Sequence, residues 1–495
     1  MIKNIYKRIV NRLTMIMLFL MLQIALFFMI VYYFSELFWQ LNTVFVILSA
    51  IIIFFLLVKE ENPYYKVRWI IPILIFPVFG GMFYLLYRIR NIPPKTIEEH
   101  LEIERNRHYF ADDLPPVSTL HEAVYLKRLG WPSYKGTNTH FLDSGNAFLD
   151  SVLEKIKTAE KYIFIEFFII RPGKMWDALL DVLKDKAKEG VEVVIIYDDF
   201  GSSAFPRNYP EILKKYNIEA HIFNPIKLRL NFGGNYRDHR KIVVIDGIYG
   251  YTCGNNIADE YIGIEKPHGN WADTGILLEG EAVWSLTLAF LDVLSFISQS
   301  SRNYNDYYVA QTFENDGIII PFAETPLDKE ETTKSLFLHL IYNANHTIKI
   351  TTPYLIIDPE MKNALRHAAK SGIDVSIILP KIPDKKIVYM VTESHLPLLI
   401  KDGVNVYRYT PGFMHAKMMI IDEEKAVIGS ANFDYRSLYL HFENNVFLKG
   451  AASIEAMNNY FMSVLEQSKQ VEKGERYSLT YRFLQLFFRM FAGLM

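Results

Sequence analysis

His239-Arg240-Lys241-Ile242-Val243-Val244-Ile245-Asp246 and His415-Ala416-Lys417-Met418-Met419-Ile420-Ile421-Asp422 are two copies of one pattern. Asn256 follows the first aspartate by ten residues, and Asn432 follows the second by the same interval. Both copies fit His-x-Lys-x4-Asp-x9-Asn. The middle of each is an apolar run, which predicts a strand. A strand's period of two puts the histidine and the lysine on one face. A small-residue turn, Cys253-Gly254 in one copy and Gly429-Ser430 in the other, carries the asparagine back toward the same place. Two such motifs arise by chance less than about one time in a thousand.

The copies lie inside a longer duplication. Residues 147–158, 162–170, 175–189 and 190–196 read as helix, strand, helix and strand. Residues 333–345, 347–356, 359–371 and 372–378 repeat that order. Alternating strands and amphipathic helices indicate βαβ units, hence an α/β fold with mixed, mostly parallel sheets. Gly190 and Gly372 fit helix C-caps just before a strand. Two lobes are expected, 131–320 and 321–475, with a site between them that takes one set of residues from each.

The residue types suit phosphoryl transfer. An imidazole can attack phosphorus and form a covalent intermediate. A second imidazole, with an ordinary pKa near neutrality, can protonate a leaving alkoxide. Lys241, Lys417, Asn256 and Asn432 can bind non-bridging oxygens and stabilise charge in the transition state. The lysines supply the positive charge, so neither a metal nor another cofactor is required. The residues alone do not choose between the two histidines as nucleophile.

Composition narrows the partners. The 495 residues carry 53 Lys+Arg against 55 Asp+Glu, a formal net charge of -2. That balance argues against a broad nucleic-acid surface. One cysteine, Cys253, excludes an intrachain disulfide framework and any multi-cysteine zinc site. The apolar excess sits at the front. Residues 13–34 and 37–58 are free of charge, and each exceeds the ~20 residues a membrane-crossing helix needs. A third uncharged stretch, 69–87, contains Pro72, Pro77, Gly80 and Gly81 and can be kinked or re-entrant. These predict a membrane domain over 1–92, and 93–130 reads as a connector. The tail, 476–495, is apolar with Arg482 and Arg489 on one helix face. It fits a membrane-interface helix or a terminal core helix. Lys227, Arg229, Arg237 and Arg240 could bind lipid phosphate or form a solvated face. His140, His221, His268 and His441 read as structural.

The paired motifs resemble the hallmark of the phospholipase D superfamily. The resemblance covers roughly 130–470. The text is similar to bacterial cardiolipin synthases in particular: Asn256-Ile257-Ala258-Asp259-Glu260-Tyr261 after the first motif, Ala431-Asn432-Phe433-Asp434-Tyr435-Arg436-Ser437 and Asn444 after the second, and the segment from Pro77 to Arg88 in front. The resemblance implies a multi-pass enzyme of the bacterial cell membrane acting on phosphatidylglycerol and membrane lipid. One phosphatidylglycerol is attacked by a histidine, glycerol leaves, and a second phosphatidylglycerol displaces the enzyme to give cardiolipin. By the family pattern His239 is the nucleophile and His415 the general acid, then base. Asp246 and Asp422 organise the site, and Ser430 supports it. An acidic residue after each motif orients a histidine, and Asp273 and Glu443 match best. Asp273 is the weaker match, because 27 residues separate it from Asp246 against 21 between Asp422 and Glu443. Cys253 stands where the family usually has glycine, beside the phosphate-binding turn. The motifs do not separate transfer from hydrolysis. A phospholipase D-type hydrolase, another phosphatidyltransferase, a membrane nuclease and a non-catalytic scaffold remain alternatives.

Overall fold

Each motif strand enters a tight turn at its aspartate. In the computed structural model, Asp246 and Gly247 have φ of 53° and 68°, and Asp422 and Glu423 have φ of 53° and 57°. The amide of Ile248 donates to the carbonyl of Ile245 at 3.0 Å, and Glu424 donates to Ile421 at 3.0 Å. These are two-residue hairpin turns with both central residues left-handed, which matches the right-handed twist of the flanking strands. The motif strand therefore folds back on its successor as an antiparallel hairpin.

The structure describes residues 12–33, 35–59, 63–88, 94–112, 118–225, 236–298, 302–313, 317–328, 330–474, 478–490 and 492–494. They divide into two compact units, the smaller within 12–88 and the larger within 94–494.

The larger unit carries the duplication. Its first half contributes β1 (Thr137–Leu142), β2 (Tyr162–Phe167), β3 (Glu192–Asp198), β4 (Ile218–Phe223), β5 (Arg237–Asp238), β6 (Lys241–Ile245), β7 (Tyr249–Cys253), β8 (Asn270–Ala272) and β9 (Gly275–Gly280). The second half contributes β10 (Ile318–Glu324), β11 (Thr347–Thr351), β12 (Leu355–Ile356), β13 (Asp374–Pro380), β14 (Asn405–Tyr409), β15 (Gly412–Met414), β16 (Met418–Ile421), β17 (Lys425–Gly429), β18 (Phe433–Asp434), β19 (His441–Lys449) and β20 (Ser468–Gln470). The first sheet has the order β1-β9-β7-β6-β2-β3-β4, and the second β10-β19-β17-β16-β11-β13-β14-β20. Position by position these are the same sheet, with β20 added at one edge.

The expectation of mostly parallel pairing is corrected. Along the two main strand orders, only β2-β3-β4 and β11-β13-β14 run parallel. In the first sheet β1-β9, β9-β7, β7-β6 and β6-β2 are all antiparallel. The βαβ pattern covered only half of each sheet. The hairpin turns at Asp246-Gly247 and Asp422-Glu423 make the other half antiparallel. Gly190 and Gly372 do take positive φ, 94° and 92°, at the ends of their helices.

One core joins the lobes. Phe164, Val194 and Ile242 of the first sheet share it with Ile320, Phe322 and Phe447 of the second. The helix Val283–Ser298 runs through it, buried from Val283 to Leu294. Its one charge, Asp292, is met at 2.8 Å by Arg107 from the helix Pro94–Asp112. A buried carboxylate needs such a partner. The guanidinium of Arg107 also lies 4.2 Å over the Trp131 ring. The stretch expected to be a connector is thus packed into the larger unit.

The smaller unit holds helices Arg12–Tyr33, Ser35–Val58, Pro63–Ile75 and Pro77–Arg88. The expected third span, 69–87, is two helices that break at Phe76 and fold back. The rings of Trp69 and Tyr84 lie 5.5 Å apart, whereas a straight helix would separate these positions by roughly 22 Å. A Cβ on Gly80 would stand 2.4 Å from the carbonyl oxygen of Pro72, so glycine is what allows the close return. The expected span 13–34 ends outside the described residues, 37–58 lies within the helix Ser35–Val58, and among the described residues no helix is long and apolar enough to cross a membrane.

Candidate active site

Each motif histidine is hung on the opposite lobe. β5, just before His239, pairs in parallel with the start of β19, and the amide of His239 donates to the carbonyl of Phe442 at 2.9 Å. β15, just before His415, pairs in parallel with β8, and the amide of His415 donates to Ala272 at 2.7 Å. The residue after each accepting carbonyl is an acid, Glu443 and Asp273. The acids therefore meet the histidines crosswise. His239 Nδ1 lies 2.9 and 3.0 Å from the two oxygens of Glu443, and His415 Nδ1 lies 2.5 Å from Asp273 Oδ2. A carboxylate on Nδ1 fixes the proton there and leaves Nε2 as the reactive nitrogen. The longer spacing before Asp273 does not disqualify it, because its partner is in the other lobe.

Burial sets the charges. Lys241 and Lys417 are buried with the acids. Lys241 Nζ donates to the carbonyl of His239 at 2.6 Å, and Lys417 Nζ donates to that of His415. Burial pulls Lys417 down to about 8 and lowers Lys241 as well, with Asp273 and Glu443 opposing the shift. Burial takes His239 down to about 3 against the pull of Glu443. It takes His415 well below its usual value, with Lys417 and Lys241 adding to the effect. Both imidazoles are therefore held neutral near pH 7. The carboxylates differ. Burial works against ionised Glu443, yet His239 beside it holds it below the usual range. Burial raises Asp273 to about 7, with Lys417 only partly offsetting.

Asp246 and Asp422 lie elsewhere. Asp246 accepts the backbone amides of Glu160, Lys161 and Tyr162 at 2.7, 2.8 and 2.8 Å. Asp422 accepts those of Asn345, His346 and Thr347 at 2.8, 2.7 and 2.8 Å. Each clamps the start of the neighbouring strand, at the far end of the motif strand from its lysine. At ~3.3 Å per residue, five residues of strand is about 16 Å. These two residues position the motif strand rather than touch its reactive end.

The asparagines are buried near the site. Asn256 Oδ1 accepts the amide of Ile169 at 3.1 Å, and its Nδ2 donates to Tyr261 Oη at 2.6 Å. The Tyr261 ring packs 5.5 Å from His415. Asn432 Nδ2 donates to Asp434 at 3.1 Å, while its Oδ1 is buried without a hydrogen-bond partner. Ser430 Oγ donates to Glu443 and accepts the amide of Asn444 at 2.9 Å.

The departure at Cys253 has a packing explanation. Cys253 is paired with Gly275 across β7 and β9, and the equivalent Gly429 is paired with Asn445 across β17 and β19. A Cβ on Gly275 would lie 2.9 Å from that of Cys253, and one on Gly429 would lie 2.6 Å from Asn445 Oδ1. The larger side chain has changed strands between the lobes. The thiol is fully buried in the first lobe's outer core, and burial raises its pKa.

Some expectations miss. Arg237 is buried against Asp198 at 3.4 Å and the carbonyl of Asn224 at 3.1 Å. Arg240 is buried against the carbonyls of Ala289 and Glu324 at 3.0 and 3.3 Å. Neither forms a solvated face. Lys227 and Arg229 lie outside the described residues. His441, read as structural, sits beside the reactive centre: its ring is 5.4 Å from that of His239, and its Nδ1 is 3.8 Å from Glu443 Oε1. The signal was in the duplication, where His441-x-Glu443 aligns with Trp271-x-Asp273, and Trp271 packs 5.5 Å from His415. Asn444 was noted only for its resemblance, but it binds the lobes together. Its Oδ1 accepts the amide of Lys241 at 3.0 Å, and its Nδ2 donates to Thr252 at 2.6 Å. His239, His441 and Glu443 could each offer a metal one ligand atom. They would do so only by giving up the bond that orients His239.

The chain has curated relatives over most of its length. A cardiolipin synthase of Halalkalibacterium halodurans is 34% identical over 519 residues, covering 98% of this chain and 100% of that protein. The chain belongs to the cardiolipin synthase family. A cardiolipin synthase of Alkalihalophilus pseudofirmus is 35% identical over 93% of this chain and 94% of its own. The family model described as "Cardiolipin synthase, PLD-like domain" matches residues 337–465, and one described as "Phospholipase D-nuclease N-terminal" matches 44–88. Among solved structures, phosphatidylserine synthase of Haemophilus influenzae aligns with a TM-score of 0.59 at 14% identity, over 79% of this chain and 100% of that one. That likeness supports the fold. The cardiolipin synthase family thus accounts for both ends of the chain, the front segment and the duplicated lobes.

Proposed function

We propose that this enzyme makes cardiolipin from two molecules of phosphatidylglycerol. His239 Nε2 attacks the phosphorus of the first, the P–O bond to glycerol breaks, and protonated His415 gives its proton to the leaving glycerol. The terminal hydroxyl of the second phosphatidylglycerol then loses its proton to His415 and attacks the phosphatidyl-histidine. The P–N bond breaks, cardiolipin leaves, and His415 is again protonated. Lys241, Lys417, Asn256 and Asn432 hold the phosphate oxygens.

The crosswise acid–histidine pairing carries this reading. His239 faces a carboxylate that stays ionised, which raises the basicity of its free Nε2 and suits a nucleophile. His415 faces an acid that titrates near neutrality, which suits a group that must give and take a proton. An anionic phosphodiester between them raises the proton affinity of the depressed His415.

The apolar helices Arg12–Tyr33 and Ser35–Val58 associate the enzyme with the cell membrane. Phe28, Phe54 and Phe55 are exposed on them, as lipid-facing side chains would be. Purified enzyme in phosphatidylglycerol micelles tests the reaction. Cardiolipin and glycerol in equal amounts are expected, and phosphatidic acid as the sole lipid product would establish hydrolysis instead. Cysteine accessibility across 13–58 tests that association.

A further inference from the structure

The C-terminal helix Leu479–Arg489 is turned the wrong way for water. Its buried residue is Gln485, at 6% exposure, while Leu479, Phe483 and Leu486 are 84%, 68% and 63% exposed. Leu484 and Phe487 add to the open face. A helix against a protein core buries its apolar stripe and exposes its polar one. Here the order is reversed, so the sequence alternative of a terminal core helix fails. From 478 to 495 the chain carries Arg482 and Arg489 and no acidic residue.

The place of the helix matters as much as its composition. Phe488 and Ala492 pack into a small cluster with Ile356, Val391 and Tyr435. Ile356 lies in β12, which pairs with β18, the strand directly after Asn432. The preceding Tyr354 donates to Asp384 at 2.5 Å, and the charges of Asp384 and Lys385 reach His415. In the same loop Ile382 is 38% exposed. The packed side of the helix is therefore joined, through Ile356 and Tyr354, to the segment that borders the second histidine.

We propose that the open apolar face lies on an anionic phospholipid surface and seats the catalytic lobes against the bilayer from which they draw substrate. Cationic side chains beside exposed Phe and Leu fit an interface of negative headgroups over acyl chains. The contact is separate from the N-terminal helices. It deepens the lipid-transfer reading without depending on whether the product is cardiolipin or phosphatidic acid.

The test uses the full chain in vesicles of phosphatidylglycerol and phosphatidylcholine. Phe483→Cys carries an environment-sensitive fluorophore. Cys253 is fully buried and leaves the background unlabelled. Tyr216→Cys, at a 42% exposed site of the first lobe, is the control. Lipids brominated near the top of the acyl chain should quench the label at 483 and not that at 216, and aqueous iodide should do the reverse. A label at 483 open to iodide and blind to brominated lipid overturns the proposal. So does pyrene excimer emission at 483, which would assign the face to a second copy of the chain. In a second arm, Phe483→Asp with Leu486→Asp should lower the rate on bilayer phosphatidylglycerol about tenfold and leave the rate on a monomeric short-chain analogue unchanged. An equal fall on both substrates would mean a folding defect or a catalytic role, and the docking proposal fails. The quenching arm reads position alone, so it stands or falls apart from the transfer reaction.

Discussion

Around His239 the neighbouring rings are Phe168 and His441, and the acid is Glu443. Around His415 they are Trp271, Tyr261 and Phe413, and the acid is Asp273. The frames that carry them are nearly interchangeable: the same strand order, the same hairpin turn, the same three-amide clamp on the motif aspartate. Duplication has kept what holds the histidines in place and varied what touches them. A two-step displacement needs that division, since one imidazole must bond to phosphorus while the other moves a proton.

The largest expected effects test whether the two histidines differ at all. His239→Ala and His415→Ala should each lower turnover by about 10⁴-fold or more. With a phosphatidyl donor bearing a good leaving group, His415→Ala should accumulate a phosphatidyl-enzyme and His239→Ala should not. The reverse pattern would exchange their roles. Next come the acids. Glu443→Gln should cost roughly 10³-fold, because the orienting charge on the nucleophile is lost. Asp273→Asn should cost less in the donor step with that same activated substrate, which needs no proton. Equal losses in that step would erase the asymmetry.

The pH dependence sharpens the same comparison. Burial depresses His415, so substrate binding near pH 7 should take up about one proton, measurable by titration calorimetry in buffers of different ionisation enthalpy. That proton comes from solvent as substrate binds, so kcat/KM should decline as pH rises. A smaller effect tests the exchanged bulk. Gly429→Cys should destabilise the second lobe, and Asn445→Gly added to it should restore part of the loss, seen in Tm. Cys253→Gly should leave activity within a fewfold. The smallest effect expected is none: strong chelation should not change the rate.

Much of the site was legible because the chemistry is local in sequence. Lys241 begins β6, but His239, His415 and Lys417 lie just before the strands that period and composition predict. The clamp made by each aspartate, the crosswise acids and the role of His441 were not legible. Each depends on a partner about 75 to 205 positions away, and spacing along the chain says nothing about which lobe a carboxylate enters. The antiparallel half of each sheet could have been read from Asp246-Gly247, a strong hairpin signal, but Asp422-Glu423 hides the same turn behind an ordinary residue pair. The third apolar stretch could not be resolved from composition, because the same prolines and glycines fit a kink or a return. The contact between Trp69 and Tyr84 decides it.

The sequence by itself determined the duplication, the paired motifs and the apolar front, because repeats, strand periods and uncharged runs are properties of neighbouring positions. Only the tertiary structure decided which acid serves which histidine, why a cysteine can stand for a glycine, and which way the last helix faces. Those answers come from packing between distant segments, where a side chain's burial and its partner are set together.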